Sequence, residues 1–268
     1  MSKVIVVTGS TRGIGLGLAE EFLKRGHVVI INGRSDKNVQ ATVKSLQEKY
    51  PAERIKGVAS DITKFDQVQT LWSQSKEFKG RVDIWINNAG VINDREATWK
   101  LAPEDLASTV NINTLGPMYC AKVALSGMLS QGFGHLYNFE GFGSNGKQWQ
   151  PGMTPYATTK AAMRYFTRAL IKETKGTGVK VGTISPGIVV TDLPKEPYKD
   201  RPQDWTKAKK IFNILGDHVE TVTPWIAERV LEDQKPGTAI TWLTGRKAFG
   251  RFLKASFVKR DLFKERKA

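Results

Sequence analysis

Short apolar runs and longer segments of helical period alternate along almost the whole chain, and this alternation restricts the fold more than any single motif does. Candidate strands occupy residues 3–8, 27–32, 54–59, 82–87, 134–139, 179–184 and 238–242. Between them, apolar residues recur every three or four positions over 14–25, 37–50, 64–78, 104–130 and 155–175, the spacing of amphipathic helices. Strands buried on both faces read as continuous apolar runs, and parallel neighbours need a crossover connection. The order therefore predicts an α/β fold: a Rossmann-like, doubly wound parallel β-sheet with helices on both faces, in a single domain. With 268 residues, 40% of them hydrophobic, one large core is within reach. Such sheets bind ligands beyond the carboxyl ends of their strands, so the residues following each run are the informative ones.

The first run ends in Thr8-Gly9-Ser10-Thr11-Arg12-Gly13-Ile14-Gly15. Glycines permit a tight turn and let backbone N–H groups and a helix N-terminus approach a pyrophosphate. A flexible strand-to-helix turn is the alternative, but the place in the first βα unit favours a dinucleotide site formed by Gly9, Thr11, Arg12, Gly13, Ile14 and Gly15. The second run ends Ile31-Asn32-Gly33-Arg34-Ser35, without an acid to accept from an adenosine ribose. Arg34 and Arg12 can instead bracket a 2′-phosphate, which favours NADP(H) over NAD; either arginine alone would read as a solvated surface residue. Asp36 lies too far along to serve as the ribose acid. The third and fourth runs end in Ser60-Asp61-Ile62 and Asn87-Asn88-Ala89-Gly90. Asparagine ties strand ends together by side-chain hydrogen bonds, and Asn87 is read as structural.

Tyr156-Ala157-Thr158-Thr159-Lys160 places a phenol and an ammonium four residues apart, on one face of a helix. A phenol titrating at about 10 is a poor acid–base group near neutrality until a neighbouring cation stabilises its anion. Lys160 supplies that cation, and Tyr156 can then exchange a proton with a carbonyl or alcohol oxygen. Taken alone, such a pair is common on helix surfaces. Combined with the glycine loop, it points to carbonyl chemistry.

Together these motifs resemble the short-chain dehydrogenase/reductase superfamily, over roughly residues 3 to 192: the glycine loop, Asn87-Asn88-Ala89-Gly90, Asn113 in Asn-Thr-Leu-Gly, Tyr156-x-x-x-Lys160, and Pro186-Gly187 followed by Thr191. The resemblance implies an NADP-dependent enzyme acting on CH–OH and carbonyl groups, with Tyr156 as acid–base. It implies that Lys160 also binds the nicotinamide ribose and that Asn113 holds a water linking the lysine to solvent. Pro186, Gly187, the Ile188 backbone and Thr191 would hold the carboxamide and Asp61 the adenine, with Ile62, Asn88, Ala89 and Gly90 completing the cofactor site. The chain departs from the family at the catalytic serine, where Asn-x-Ser-Ser is replaced by Asn138-Phe139-Glu140-Gly141. Ser144 is the nearest hydroxyl able to orient a carbonyl oxygen; the alternative is an ordinary loop serine. Glu140 is open between contacting substrate and anchoring the loop.

The run Asn138-Phe139-Glu140-Gly141-Phe142-Gly143-Ser144 is also similar to the chlorophyll b reductase branch, as are Ser185–Leu193, Ile240–Thr244 and Phe257–Phe263. That similarity implies NADPH-driven reduction of the 7-formyl group of chlorophyll b or chlorophyllide b to hydroxymethyl. Two other readings stay open: a reductase of another bulky hydrophobic carbonyl, such as a steroid or quinone, and an NADP-binding scaffold or sensor without turnover.

The charge balance, 41 Lys and Arg against 26 Asp and Glu, attracts anionic partners. Residues 246–268 alone carry nine bases against Asp261 and Glu265, so a catalytic domain over 1–245 is followed by a basic C-terminal tail. Interleaved with those bases are Phe249, Phe252, Leu253, Phe257, Leu262 and Phe263, the composition of a helix lying on a membrane. An apolar face docked on the body or on another subunit is the alternative. No nucleic-acid recognition module accompanies the charge. Residues 193–225, with Pro194, Pro197, Pro202 and Pro224, are expected to form an irregular substrate lid whose Tyr198, Trp205, Phe212 and Trp225 either stack on a flat macrocycle or pack a satellite core. The single Cys120 fits a reducing, cytoplasmic setting, peripheral to a membrane if the tail binds one. A soluble chain without signal peptide is expected, with no metal and with a homo-oligomeric state implied by the family resemblance.

Overall fold

The computed structural model describes residues 1–191, 193, 198, 202–233 and 235–264. Among them a seven-stranded parallel sheet runs in the order β3-β2-β1-β4-β5-β6-β9. Its strands are β1 (Val4–Val7), β2 (Val28–Gly33), β3 (Ile55–Ala59), β4 (Ile84–Asn87), β5 (Gly134–Phe139), β6 (Val179–Ser185) and β9 (Ala239–Thr241). A short parallel pair, β7 (Val189–Val190) and β8 (Asp217–His218), lies beside it. Each expected strand is present within two residues of its expected ends. The strand order reverses between β1 and β4, which opens the crevice where such sheets take their ligand.

Alternation along the strands feeds two cores, one per face. On one face Ile5, Val7, Val29 and Ile31 pack with Leu18 and Phe22 of α1 (Gly13–Lys24), Val39 of α2 (Asp36–Gln47), and Val222 and Ile226 of α8 (Val219–Glu232). On the other, Val6, Ile30, Trp85 and Leu136 meet Val68 and Leu71 of α3 (Phe65–Lys79), Cys120 and Met128 of α5 (Gly116–Gln131), and Leu170 of α6 (Thr154–Glu173). Cys120 is fully buried, and burial pushes its thiol far above the usual range, so it is inert core.

Two expectations change and one open alternative is narrowed. The single helix over 104–130 is interrupted: α4 (Pro103–Val110) passes through a π turn at Asn111–Leu115 before α5 begins. Pro117 has no N–H to give to the Asn113 carbonyl four residues earlier, so the regular ladder cannot continue there. The segment expected to form a lid is less irregular than its prolines suggest, because residues 202–215 form α7 (Pro202–Leu215). Pro202 is the first residue of that helix, where a missing N–H is free of cost, and Pro224 sits inside α8 at the loss of one backbone bond. Pro194 and Pro197 lie outside the described residues. Finally, Tyr198, Trp205 and Phe212 stack on one another and on Phe263, forming a satellite core, whereas Trp225 packs on Trp242 away from that cluster.

The C-terminal segment is tied to the body. Thr244 caps α9 (Gly245–Ala255) by accepting from the Lys247 N–H at 3.2 Å. Buried Asp217 accepts from Arg251 at 2.7 Å, Arg260 at 3.0 Å and the Trp242 indole at 2.6 Å. No helix among the described residues is long and apolar enough to cross a membrane.

Candidate active site

The glycine loop is shaped by contacts that leave no room for side chains. A Cβ on Gly9 would come within 2.9 Å of the Ala89 backbone, and one on Gly15 within 2.4 Å of the Gly9 carbonyl. Gly9 and Gly13 also adopt positive φ, +64° and +58°. Asn88 fixes the turn by donating to the Thr8 and Gly9 carbonyls at 2.8 and 3.1 Å. The Thr8 hydroxyl accepts from the N–H groups of Asn88 and Ala89 at 3.0 and 3.1 Å. From β2, buried Asn32 accepts from the Gly9 N–H and donates to the Val58 and Ser60 carbonyls, locking three strand ends together. No side chain caps the first turn of α1, so its N–H groups remain free for an anion. This cradle fits the pyrophosphate of a nicotinamide dinucleotide.

Around the cradle the expected cofactor residues converge. Gly33 abuts Thr11, so Arg12 and Arg34 each stand one residue beyond that contact. Both are exposed, and neither has an ion pair among the described residues. Asp36 opens α2 and accepts from Gln40, which removes it from the ribose position. Asp61 already accepts from the Thr63 N–H and hydroxyl at 2.9 and 2.8 Å through one carboxylate oxygen. Ile62 is buried against Gly116, so only its backbone is available to a ligand. Thr191 reaches the start of α1, 3.4 Å from where a Cβ on Gly13 would sit, bringing the Pro186–Thr191 segment to the loop. Gly187 has φ +72° and abuts Leu243, while the Ile188 carbonyl accepts from the Asp217 N–H. As expected, Asn87 is structural: it joins Trp85 and Asn138 of the sheet to the Pro117 carbonyl of α5.

Tyr156 and Lys160 share one face of α6, with the ammonium 5.7 Å from the centre of the phenol ring. Lys160 is buried and donates to the Phe139 carbonyl at 3.5 Å. Asn113 holds the opposite side, accepting from the Val91 N–H and donating to the Val91 carbonyl, both at 2.8 Å. It also donates to Thr159, whose hydroxyl bonds the Tyr156 carbonyl at 2.6 Å. A Cβ on Gly90 would lie 3.3 Å from the Asn113 side-chain oxygen and 3.9 Å from the Lys160 nitrogen, so the three residues meet at one point. Desolvation pushes the Tyr156 hydroxyl up to about 12 and the Lys160 ammonium down to about 8, the latter opposed by the Glu140 carboxylate. Burial thus favours the neutral form of both groups, a larger influence on the phenol than the cation that was expected to dominate.

The wall after β5 is where sequence and structure part. The backbone N–H of Gly141 donates to the Ser144 hydroxyl at 2.9 Å, closing a tight turn. Ser144 lines a polar cavity of about 370 Å3 between α6 and the ends of β6 and β9, shared with Glu140, Arg164, Arg168 and Ser185. Among the described residues no hydrogen bond joins Ser144 to Tyr156. The residue against the phenol is Gly141, where a Cβ would lie 2.5 Å from the Tyr156 oxygen. Glu140 pairs with Arg164 at 3.7 Å, so its carboxylate anchors the loop on α6 while facing the charge of Lys160.

Sequence reasoning missed several positioning residues. Asn93 accepts from the Tyr156 N–H at 3.1 Å and donates to the Gly152 carbonyl, pinning the first turn of α6. Thr8, Asn32 and Thr159 act as described above, and Arg95 stacks over Tyr198 at 4.6 Å. The available signal was polar residues at the ends of apolar runs, where a buried side chain needs partners.

A family model described as short chain dehydrogenase matches residues 3–202. The chain belongs to that family. It is accordingly an NAD(P)-dependent oxidoreductase that binds a nicotinamide cofactor. Among curated proteins it is 36% identical to chlorophyll(ide) b reductase NOL of Arabidopsis thaliana, over 91% of this chain and 71% of that protein. It is 33% identical to the probable chlorophyll(ide) b reductase NYC1 of the same plant, over 90% of this chain, and spans about half of that protein's length (50%). Both relatives are named as chloroplastic, a different compartment from the cytoplasmic one expected. Among solved structures, an actinorhodin polyketide ketoreductase with NADPH superposes with a TM-score of 0.79 at 27% identity, over 92% of this chain and 97% of that one. A serine dehydrogenase complexed with NADP+ shares the fold with a TM-score of 0.77 at 24% identity, over 90% and 94% of the two chains.

Proposed function

We propose that the chain is an NADPH-dependent reductase converting the 7-formyl group of chlorophyll b or chlorophyllide b to 7-hydroxymethyl. The observation that carries this reading is Gly141, which abuts the phenol without a side chain of its own and belongs to the segment similar to the chlorophyll b reductase branch. The 36% identity with a relative named for that reaction supports the same substrate class. Exposed Arg12 and Arg34, flanking the Thr11–Gly33 contact beside the helix N-terminus, support NADPH over NADH.

Reduction of an aldehyde requires hydride at carbon and a proton at oxygen. A bound reduced nicotinamide supplies the hydride. Tyr156 donates the phenolic proton to the carbonyl oxygen, its hydroxyl held protonated by burial until that moment. Lys160 places positive charge beside the phenolate that forms, and Asn113 and Thr159 keep the tyrosine and lysine turns in register.

The test is single-turnover reduction of chlorophyllide b by NADPH, with the hydroxymethyl product resolved by chromatography, alongside a panel of steroid and quinone carbonyls. Tyr156→Phe is expected to lower turnover about 10²- to 10⁴-fold while leaving NADPH binding intact. Reduction of a steroid or quinone with chlorophyllide b untouched would remove the substrate assignment. NADPH binding with no carbonyl reduced would favour a scaffold.

A further inference from the structure

Helix α9 is attached to the body by the wrong side for an ordinary surface helix. The residues it turns inward are Lys247, Ala248, Arg251 and Ala255, spaced three and four apart. Arg251 clamps Asp217 and donates to the Leu215 carbonyl at 2.8 Å, and Lys247 lies over the Trp242 ring. The opposite face carries Phe249, Phe252 and Leu253, which are 66%, 47% and 58% exposed, and leads to Phe257 at 90%. Burial of this helix is inverted relative to its apolar pattern, and among the described residues nothing covers the apolar side. Contiguous exposed apolar surface of this kind marks an interaction site.

We propose that this face docks on an anionic lipid surface. Exposed Arg246, Lys254 and Lys259 flank the phenylalanines, and no acid occurs between Gly245 and Arg260. Phenylalanines entering the acyl boundary beside bases at the headgroup level is the arrangement by which surface helices bind acidic bilayers. A second copy meeting the same face would bring Arg246 and Lys254 against their own equivalents, and like charges in register oppose such pairing. The docked face sits at the end of the lid. Arg260 donates to the Ile214 carbonyl, and Phe263 packs on Trp205 and Phe212 of α7. A lipid-dissolved substrate would therefore arrive next to the segment beside the active site. Only this last consequence rests on the substrate proposed above; the docking itself does not.

Flotation of the full chain with vesicles of phosphatidylglycerol and phosphatidylcholine, against vesicles of phosphatidylcholine alone, tests the assignment without cofactor or pigment. The protein is expected to float with the acidic vesicles at low salt, with little flotation on neutral ones and release as salt rises. Combined Phe249→Ser, Phe252→Ser and Phe257→Ser should lower partitioning by at least about tenfold, and Arg246→Gln with Lys254→Gln should lower it at low salt. NADPH binding by each variant confirms that the body is folded. The proposal falls if the triple serine variant floats like the parent or if the parent fails to float with acidic vesicles. Sedimentation velocity showing a dimer that the serine substitutions dissociate, with no flotation, would assign the face to a second copy. Because reductase activity is not the readout, neither result bears on the reaction.

Discussion

Restoring the family's hydroxyl beside the phenol should damage this site instead of improving it. Gly141 does not lie at positive φ, so alanine or serine fits its backbone and any effect comes from the side chain. A Cβ there would be 2.5 Å from the Tyr156 oxygen, 3.3 Å from Cζ of the same ring and 3.4 Å from Lys160 Cε. Recovering an ordinary contact of about 3.4 Å to the oxygen requires the phenol to move by roughly 0.9 Å. Its helix turn is pinned by Asn93 and Thr159, so the strain is not relieved by a simple shift of α6. Overpacking of this size costs about 1–3 kcal/mol of stability, and a displacement near 1 Å at the reacting atoms costs on the order of 10²-fold in turnover. Gly141→Ala and Gly141→Ser should both lose kcat by about that factor, with NADPH affinity measured by fluorescence titration unchanged, since the atoms nearest the added Cβ belong to Tyr156 and Lys160 and none to the glycine cradle. Serine at 141 giving the parental rate or better, while alanine does not, would show that the hydroxyl is missed and that the close contact is harmless.

Other consequences can be checked independently. Glu140→Gln removes the negative charge that opposes the depression of Lys160, so the ammonium titrates below its present value near 8; the alkaline limb of the kcat profile should move to lower pH, and an unmoved limb would sever Glu140 from the lysine. Arg34→Ala should weaken NADPH binding by about 10- to 100-fold, the worth of charge-assisted hydrogen bonds, while NADH binding stays within about twofold; equal losses for both cofactors would refute the 2′-phosphate role. His135, stacked on Tyr137 and close to Asp233, is held down to about 4 chiefly by burial. Its folded pKa lies below the unfolded value of about 6.5, so the chain loses stability as pH falls through that window and keeps it above. The loss is at most on the order of 3 kcal/mol, and His135→Gln should flatten the fall in melting temperature between pH 7 and pH 4.

Periodicity made the sheet legible because buried parallel strands write themselves as apolar runs; the strand ends then pointed to Gly9, Gly13 and Asn88, and the four-residue helical spacing to Tyr156 and Lys160. What was not legible depended on contacts between distant segments. The π turn follows from Pro117 acting on Asn113, yet nothing in the apolar spacing of 104–130 distinguishes it from a straight helix. Ser144 was chosen by proximity in sequence; its hydroxyl accepts from the Gly141 N–H, and that the residue against the phenol is a glycine could be seen only in the structure. Prolines suggested an irregular lid because their cost depends on position, and Pro202 sits at the one turn of a helix where it costs nothing. The amphipathic pattern of α9 was readable, but which of its faces turns inward was decided by Asp217, far away in sequence.

The electrostatics of the pair also set its resting protonation state. Transfer of a proton to a carbonyl oxygen starts from a neutral phenol, whereas oxidation of an alcohol starts from a phenolate. With Tyr156 raised to about 12, the neutral form dominates across the physiological range, and the same burial lowers the charge on Lys160 that would favour the anion. Glu140 counteracts part of that loss by holding the ammonium. The resting pair is thus a neutral phenol, the form that donates a proton, beside an ammonium whose charge Glu140 helps to retain.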